Sequence, residues 1–266
     1  MGVALPRRVF DLEQPRTARM PVHESHRPGY LYVLHRRHRD TYQPALHGPR
    51  SGASGVLTMM EHSGTHIDAL CHQACGMELY GGVPADRVDS PAGFRVHGVE
   101  TIAPIVTRGV LLDIAGFRGL ARLPDHDAVQ AAELEACVAR AGVRPASGDA
   151  LLIRTGAGAI WDQPEAYLRA AGMDRSASEW AANHRVLAVG ADNMAWDPLD
   201  GRRDPETGAT LYGHVHLLVR HGIYILENLY LETLAAERIY EFLLVVTPLK
   251  LVGATGSPVR PIALVD

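Results

Sequence analysis

Five apolar runs, each only four or five residues long and closed off by glycine or by a charged residue, constrain this chain most. They are Val110–Ile114, Ala150–Arg154, Val186–Val189, Ile223–Leu226 and Phe242–Val246. Runs this short do not complete a helix, and near-continuous apolar character is what a strand buried on both faces requires. Between them lie segments with helical spacing. Asp127 to Ala141 puts Val129, Leu134 and Val138 on one face and meets Gly142 as a stop. Ser176 to His184 reads as a second helix. Strands alternating with helices predict an α/β fold, and 266 residues without a linker or internal repeat predict one domain.

A further strand is expected over Gly55–Met60, with a shorter one at Tyr30–Leu34. Residues 1–50, rich in Arg, His and Pro, read as an extended N-terminal arm, with the main domain over 51–266. The four aromatics in that arm argue against disorder. The chain has a net charge of −4 and no run of like charge, which excludes a nucleic-acid footprint. No apolar stretch has the length of a membrane span or a signal peptide, so the cytoplasm is the expected location. Three cysteines, Cys71, Cys75 and Cys137, make neither a disulfide framework nor a thiolate zinc site.

The chemistry concentrates where the Gly55–Met60 strand ends, in Glu61-His62-Ser63-Gly64-Thr65-His66-Ile67-Asp68-Ala69-Leu70-Cys71-His72. Imidazole and carboxylate together suit a divalent cation such as Zn or Mn. Gly64 permits backbone angles other residues avoid, so the loop can aim His62 and His66 at one point. In an extended segment His66 and Asp68 face the same side. On that geometry His72 lies roughly 13 Å beyond Asp68, at about 3.3 Å per residue, and reaches a cation only if Ala69-Leu70-Cys71 turns back. The spacing is not that of the helical His-Glu-x-x-His motif, and no nucleophile elbow or phosphate loop occurs. A second cluster, His214-Val215-His216, precedes Glu227, a carboxylate directly after an apolar strand. A charge there is costly unless it is paired or binds a metal. Trp161, Trp180 and Trp196 read first as core and second as walls of an aromatic pocket.

The segment His62 to His72 resembles the signature His-x-Gly-Thr-His-x-Asp-x-Pro-x-His of the bacterial cyclase-like metal hydrolases, a family that includes the kynurenine formamidases and isatin hydrolase. Six of the seven defined positions match, and Leu70 stands where the signature has proline. Further similarity lies in Leu151–Gly156, Gly190–Asp192, Gly222–Leu229 and Gly256–Pro261. The resemblance implies a swivelling β/β/α fold with a central mixed sheet. It implies His62, His66 and Asp68 as metal ligands, with His214 and Glu227 completing the site on the other side and one or two divalent ions per chain. His214 is preferred to His216 because His214–Leu218 fits the family pattern His-x-x-Leu-Leu. His72 is implied as catalytic acid/base, with Glu227 as its proton partner. The expected activity is opening of a small cyclic amide of the isatin type, with an arylformamidase acting on N-formylkynurenine (tryptophan catabolism) or a lactone hydrolase as alternatives. Chain length and the segment His66–Leu70 look more like the isatin hydrolase side. A homo-oligomer, a dimer or a dimer of dimers, is also implied. The reading from another class is a binding protein whose metal is structural, which chelation would unfold rather than merely inactivate.

Overall fold

The structure, a computed structural model, describes residues 6–266. Among the described residues, nine strands form one mixed sheet. In chain order they are β1 (Arg8–Asp11), β2 (His66–Asp68), β3 (Ile105–Asp113), β4 (Ala150–Arg154) and β5 (Ala188–Ala191), then β6 (Tyr224–Glu227), β7 (Glu241–Val246), β8 (Gly256–Pro258) and β9 (Ile262–Val265). Their order across the sheet is β1-β9-β7-β3-β4-β5-β6-β2-β8. The centre, β3 to β6, is parallel. The outer pairings on both sides are antiparallel.

The parallel centre explains the short apolar runs. In β4 every residue is buried. Leu151 and Ile153 enter the core on one face, Ala150 and Leu152 the core on the other. Alternate side chains of a strand must diverge in this way, and each fully buried leucine contributes about 1.5–3 kcal/mol through loss of contact with water. The first core is roofed by helices α1 (Ala131–Ala141) and α2 (Arg175–Asn183) and by a third segment that is α-helical over Tyr212–His214 and π-helical over Val215–His221. Trp161 and Trp196 are buried in the cores and Trp180 packs half-buried against the first; Trp161 also lines a cavity with Gln14 and Tyr230.

Several boundaries differ from expectation. α1 starts at Ala131, not Asp127, because Ala128–Val129 pairs as a short strand with Gly172–Met173. Gly142 ends α1 in the left-handed conformation, at φ +71°, as a stop should. The strand expected at Val186–Val189 lies two residues later. Its small Gly190 and Ala191 pair with Leu152 and Ile153, and Leu187 spends its amide on Asp149 instead. Glu227 is the last residue of β6 rather than the first after it.

Residues 6–50 divide, and the start of the expected arm, residues 1–5, lies outside the described residues. Arg8–Asp11 joins the edge of the main sheet by pairing with β9. Tyr30–Arg36 pairs with Ser54–Met59 in a hairpin outside that sheet, and a boundary at residue 50 falls within it. Leu31, Tyr32, Val33, Leu34, Val56 and Leu57 on this hairpin are all exposed.

At the carboxyl ends of the parallel strands, where open α/β sheets place their sites, polar groups tie neighbouring strands together. The buried Asp192 carboxylate accepts the amides of Thr155, Gly156 and Gly158 and the hydroxyl of Thr155. Burial raises its pKa to about 6, against these donors. Gly156 is required beside it: its φ is +85°, and a Cβ there would lie 2.2 Å from the Ala121 carbonyl oxygen.

Candidate metal centre

The pairing of β2 with β6 builds the site. His66 lies opposite Glu227 and Asp68 opposite Ile225. Directly paired residues share a face, so His66, Asp68 and Glu227 project toward the helical side while Ile67 enters the other core. His66 and Asp68 therefore share a face, as the alternation predicts. On its other edge β2 pairs with β8, where Gly256 lies opposite Asp68. A Cβ at Gly256 would fall 2.6 Å from His62 Cε1, so glycine here leaves room for that ring.

The loop before β2 is locked from below. Gly64 is left-handed at φ +66°, and the Arg16 guanidinium donates to the carbonyls of Ser63 and Thr65 on either side of it. The Thr65 hydroxyl donates to the Asn228 carbonyl, and Asn228 Nδ2 donates to the Gly64 carbonyl. The loop is thus clamped to the end of β6.

Each ring is oriented by its outer nitrogen. His66 Nδ1 donates to the Gly64 carbonyl at 2.8 Å, and His214 Nδ1 donates to Asp197 Oδ2 at 2.9 Å. The inner nitrogens then face two carboxylates. His66 Nε2 lies 3.4 Å from Asp68 Oδ1 and 3.3 Å from Glu227 Oε2. His214 Nε2 lies 3.2 Å from Glu227 Oε1 and 3.7 Å from Asp68 Oδ2. Ligands about 2.0–2.2 Å from a tetrahedral ion stand roughly 3.4 Å from one another, so these separations suit a cation at their centre. All four residues are buried.

Two further observations test the fit. Asp68 Oδ2 and Glu227 Oε1 are buried without a hydrogen-bond partner among the described residues. An orphaned carboxylate oxygen in a protein interior calls for a cation. Burial and the nearby Asp68 carboxylate raise the pKa of Glu227. Burial opposes protonation of His66, but Asp68 and Glu227 outweigh it and raise its pKa. Burial is likewise outweighed at His214, by Asp197 and Glu227, which raise its pKa well above the usual value. The cluster therefore demands positive charge, and a divalent ion would displace the inner protons. The residues present fit such an ion.

His62, His72 and Asp68 form an adjoining group whose ligand atoms lie within 4.8 Å of one another. His62 Nδ1 is 2.8 Å from Asp68 Oδ1, and Nε2 is 2.7 Å from the Thr255 hydroxyl. Of the two courses open to Ala69-Leu70-Cys71, the chain takes the one that turns back. The chain does not stay extended to His72: the His72 amide donates to the Ala69 carbonyl and the segment reverses. The His72 ring consequently stacks on His62, with centroids 3.9 Å apart. An edge of His72 still reaches solvent, yet its dense surroundings lower its pKa well below the histidine norm, with the His62, His214 and His66 rings acting in the same direction and Asp68 opposing.

The structure brings His62, His66, Asp68, His72, His214 and Glu227 into one cluster. His216 lies apart, stacked on Tyr212 and tilted toward His221. Three contributors were missed by sequence reasoning. Asp197 and Thr255 sit in irregular segments with no motif of their own. His26, from the first fifty residues, places its ring 5.0 Å from His62 and 6.3 Å from His72. Burial and the His62 and His66 rings lower its pKa to about 4.

Comparison with known proteins gives a consistent result. Residues 10–198 match the family model described as putative cyclase. The chain is 30% identical over 214 residues to a kynurenine formamidase of Bacillus cereus, covering 78% of each chain. A solved structure described as a novel cyclase superposes with a TM-score of 0.85 at 30% identity, covering 97% of this chain and 86% of the other. Isatin hydrolase A from Ralstonia solanacearum shares the fold with a TM-score of 0.74 at 24% identity, covering 97% and 92%. With the family model spanning most of its length, and its histidine cluster seated on the same mixed-sheet fold, the chain belongs to the cyclase family.

Proposed function

We propose that this protein is a metal-dependent hydrolase that cleaves the C–N bond of a small amide. The observation that carries this reading is the convergence of His66 Nε2 and His214 Nε2 on Asp68 and Glu227, with one oxygen of each carboxylate making no hydrogen bond among the described residues. His62, His66, Asp68, His214 and Glu227 would hold one or two divalent ions, Zn or Mn. Such an ion would supply Lewis acidity toward the amide carbonyl and make water a nucleophile near neutral pH. His72, neutral because its pKa is lowered, accepts a proton from the attacking water as the new C–O bond forms. It returns that proton to the amide nitrogen as the C–N bond breaks, so the nitrogen leaves as a neutral amine. Glu227, whose carboxylate borders the same point, would steer this proton. A merely structural ion would need neither the extra imidazole nor its opening to solvent.

The first substrate class is a cyclic amide of the isatin type, in which the released amine stays tethered to the product. The chain's length and the segment His66–Leu70, which look more like the isatin hydrolase side, support this choice. An arylformamide such as N-formylkynurenine is the second, favoured by the sequence similarity to the Bacillus cereus kynurenine formamidase. Turnover of the metal-loaded enzyme on isatin and on N-formylkynurenine, measured side by side, decides between them. We expect isatin to be the better substrate; absence of turnover on both would remove the amidase reading.

The exposed apolar hairpin Tyr30–Arg36/Ser54–Met59 supports a homodimer, alone or as half of a dimer of dimers. A two-stranded ribbon is at best marginally stable without cover; Leu31, Val33 and Val56 expose one apolar face and Tyr32 and Leu57 the other, and exposed apolar faces of this kind call for a contact. Sedimentation at micromolar concentration is expected to show a dimer, and Leu31→Asp with Val33→Asp to weaken it; a monomeric parent protein would contradict this. The three free cysteines suit a reducing compartment such as the cytoplasm; among the described residues no helix is long and apolar enough to cross a membrane.

A further inference from the structure

Asp197 is buried and makes three contacts at the start of the segment that carries His214. Its Oδ1 accepts the Gly213 amide at 2.6 Å. Its Oδ2 accepts the His214 amide at 3.2 Å and the ring Nδ1–H of the same residue at 2.9 Å. The surroundings fix the carboxylate. Trp196, at φ +48°, turns the chain just before it. The Trp196 indole donates to Ser178 Oγ, and the Trp196 carbonyl accepts from the Met173 amide and from Asn193. The approach is so close that a Cβ on Gly213 would lie 2.5 Å from Trp196 Cδ1 and 2.8 Å from Asp197 Oδ2.

We propose that Asp197 is a positioning residue that dictates which nitrogen of His214 faces the cation site. A carboxylate only accepts hydrogen bonds, so the ring nitrogen turned toward Asp197 carries a proton. Nε2 then presents its lone pair to the point shared with Asp68 and Glu227. This is the arrangement by which a carboxylate behind a ligating histidine sets its tautomer and basicity. The proposal rests on the metal-site reading above and goes beyond it by assigning a role to a residue that touches neither ion nor substrate.

The discriminating variant is Asp197→Asn, which changes shape hardly at all. Its amide must place a donor against either the Gly213 or the His214 amide. The shorter contact is at Gly213, so the oxygen stays there and the NH2 turns to His214. That NH2 donates to Nδ1 and drives the ring proton to Nε2, where it blocks ligation. Asp197→Ala removes the orientation without reversing it. A role confined to packing predicts the opposite ranking, because alanine leaves a cavity and uncaps the Gly213 amide while asparagine does neither.

The test is metal affinity, read by competition of Zn or Mn with a chromophoric chelator. Expected is a loss of about 10–100-fold for Asp197→Asn, a smaller loss for Asp197→Ala, and no further loss when Asp197→Ala is added to His214→Ala. The additivity arm stands by itself if the asparagine variant fails to fold. Wild-type affinity in Asp197→Asn, a larger loss in Asp197→Ala than in Asp197→Asn, or an undiminished effect of Asp197→Ala in the His214→Ala background would each overturn the proposal. Full affinity in His66→Ala would instead strike down the metal site itself, so the two failures are distinguishable.

Discussion

His66→Ala is expected to leave purification without its cation and without turnover. The ring is held from behind by the Gly64 carbonyl and faces both Asp68 and Glu227. Its removal takes away a nitrogen donor and leaves two buried carboxylates with less to balance them. The loss of affinity should exceed the roughly 10–100-fold that follows loss of an outer partner. Metal analysis after dialysis, together with turnover in the presence of added Zn or Mn, checks both halves. A variant that retains a full complement of metal would exclude His66 as a ligand.

His72→Ala should behave differently. It should keep its metal and lose turnover by about 10²–10⁴-fold, as removal of a general acid/base does. The ring stacks on His62 on the open side of the cluster, whereas His66 and His214 are buried behind it. Because its surroundings lower its pKa, the neutral, proton-accepting form persists below the ordinary histidine range, and the acid limb of the wild-type rate profile should lie below about pH 6.5. The chain reversal brings His72 close enough to Asp68 for the alternative to be tested by the same variant. Were His72→Ala to arrive metal-free, His72 would be a ligand, and Glu227 the first candidate to carry the proton.

The central strands were legible because parallel strands buried on both faces have to be apolar throughout, and Leu151–Ile153 show this without context. The His66/Asp68 face was legible because strand alternation is local. His72 was not, because nothing in Ala69-Leu70-Cys71 announces a reversal: no glycine, proline or asparagine stands there, and the turn is made by tertiary contacts such as the Ala69 amide on the Thr255 carbonyl and the Cys71 amide on His97. Asp197 and Thr255 were invisible for a related reason. Their importance lies in what they touch across long stretches of chain, and an isolated Asp or Thr in an irregular segment is ordinary. The start of α1 was misplaced because Val129 continues the helical spacing, while pairing with Met173 claims it for a strand.

The position of β2 in the sheet also sets the order in which the molecule can come into being. This three-residue strand has its two neighbours in β6 and β8, both of which follow it far along the chain. A ribosome adding about 5–20 residues per second needs roughly 10–40 s to travel from Asp68 to Gly256. During that interval His62, His66 and Asp68 already exist as a chelating peptide, but the strands that aim them do not. The nascent chain must therefore pass through a stage in which its metal-seeking residues are exposed and unshaped, and the selective site arises only when β6 and β8 close over them.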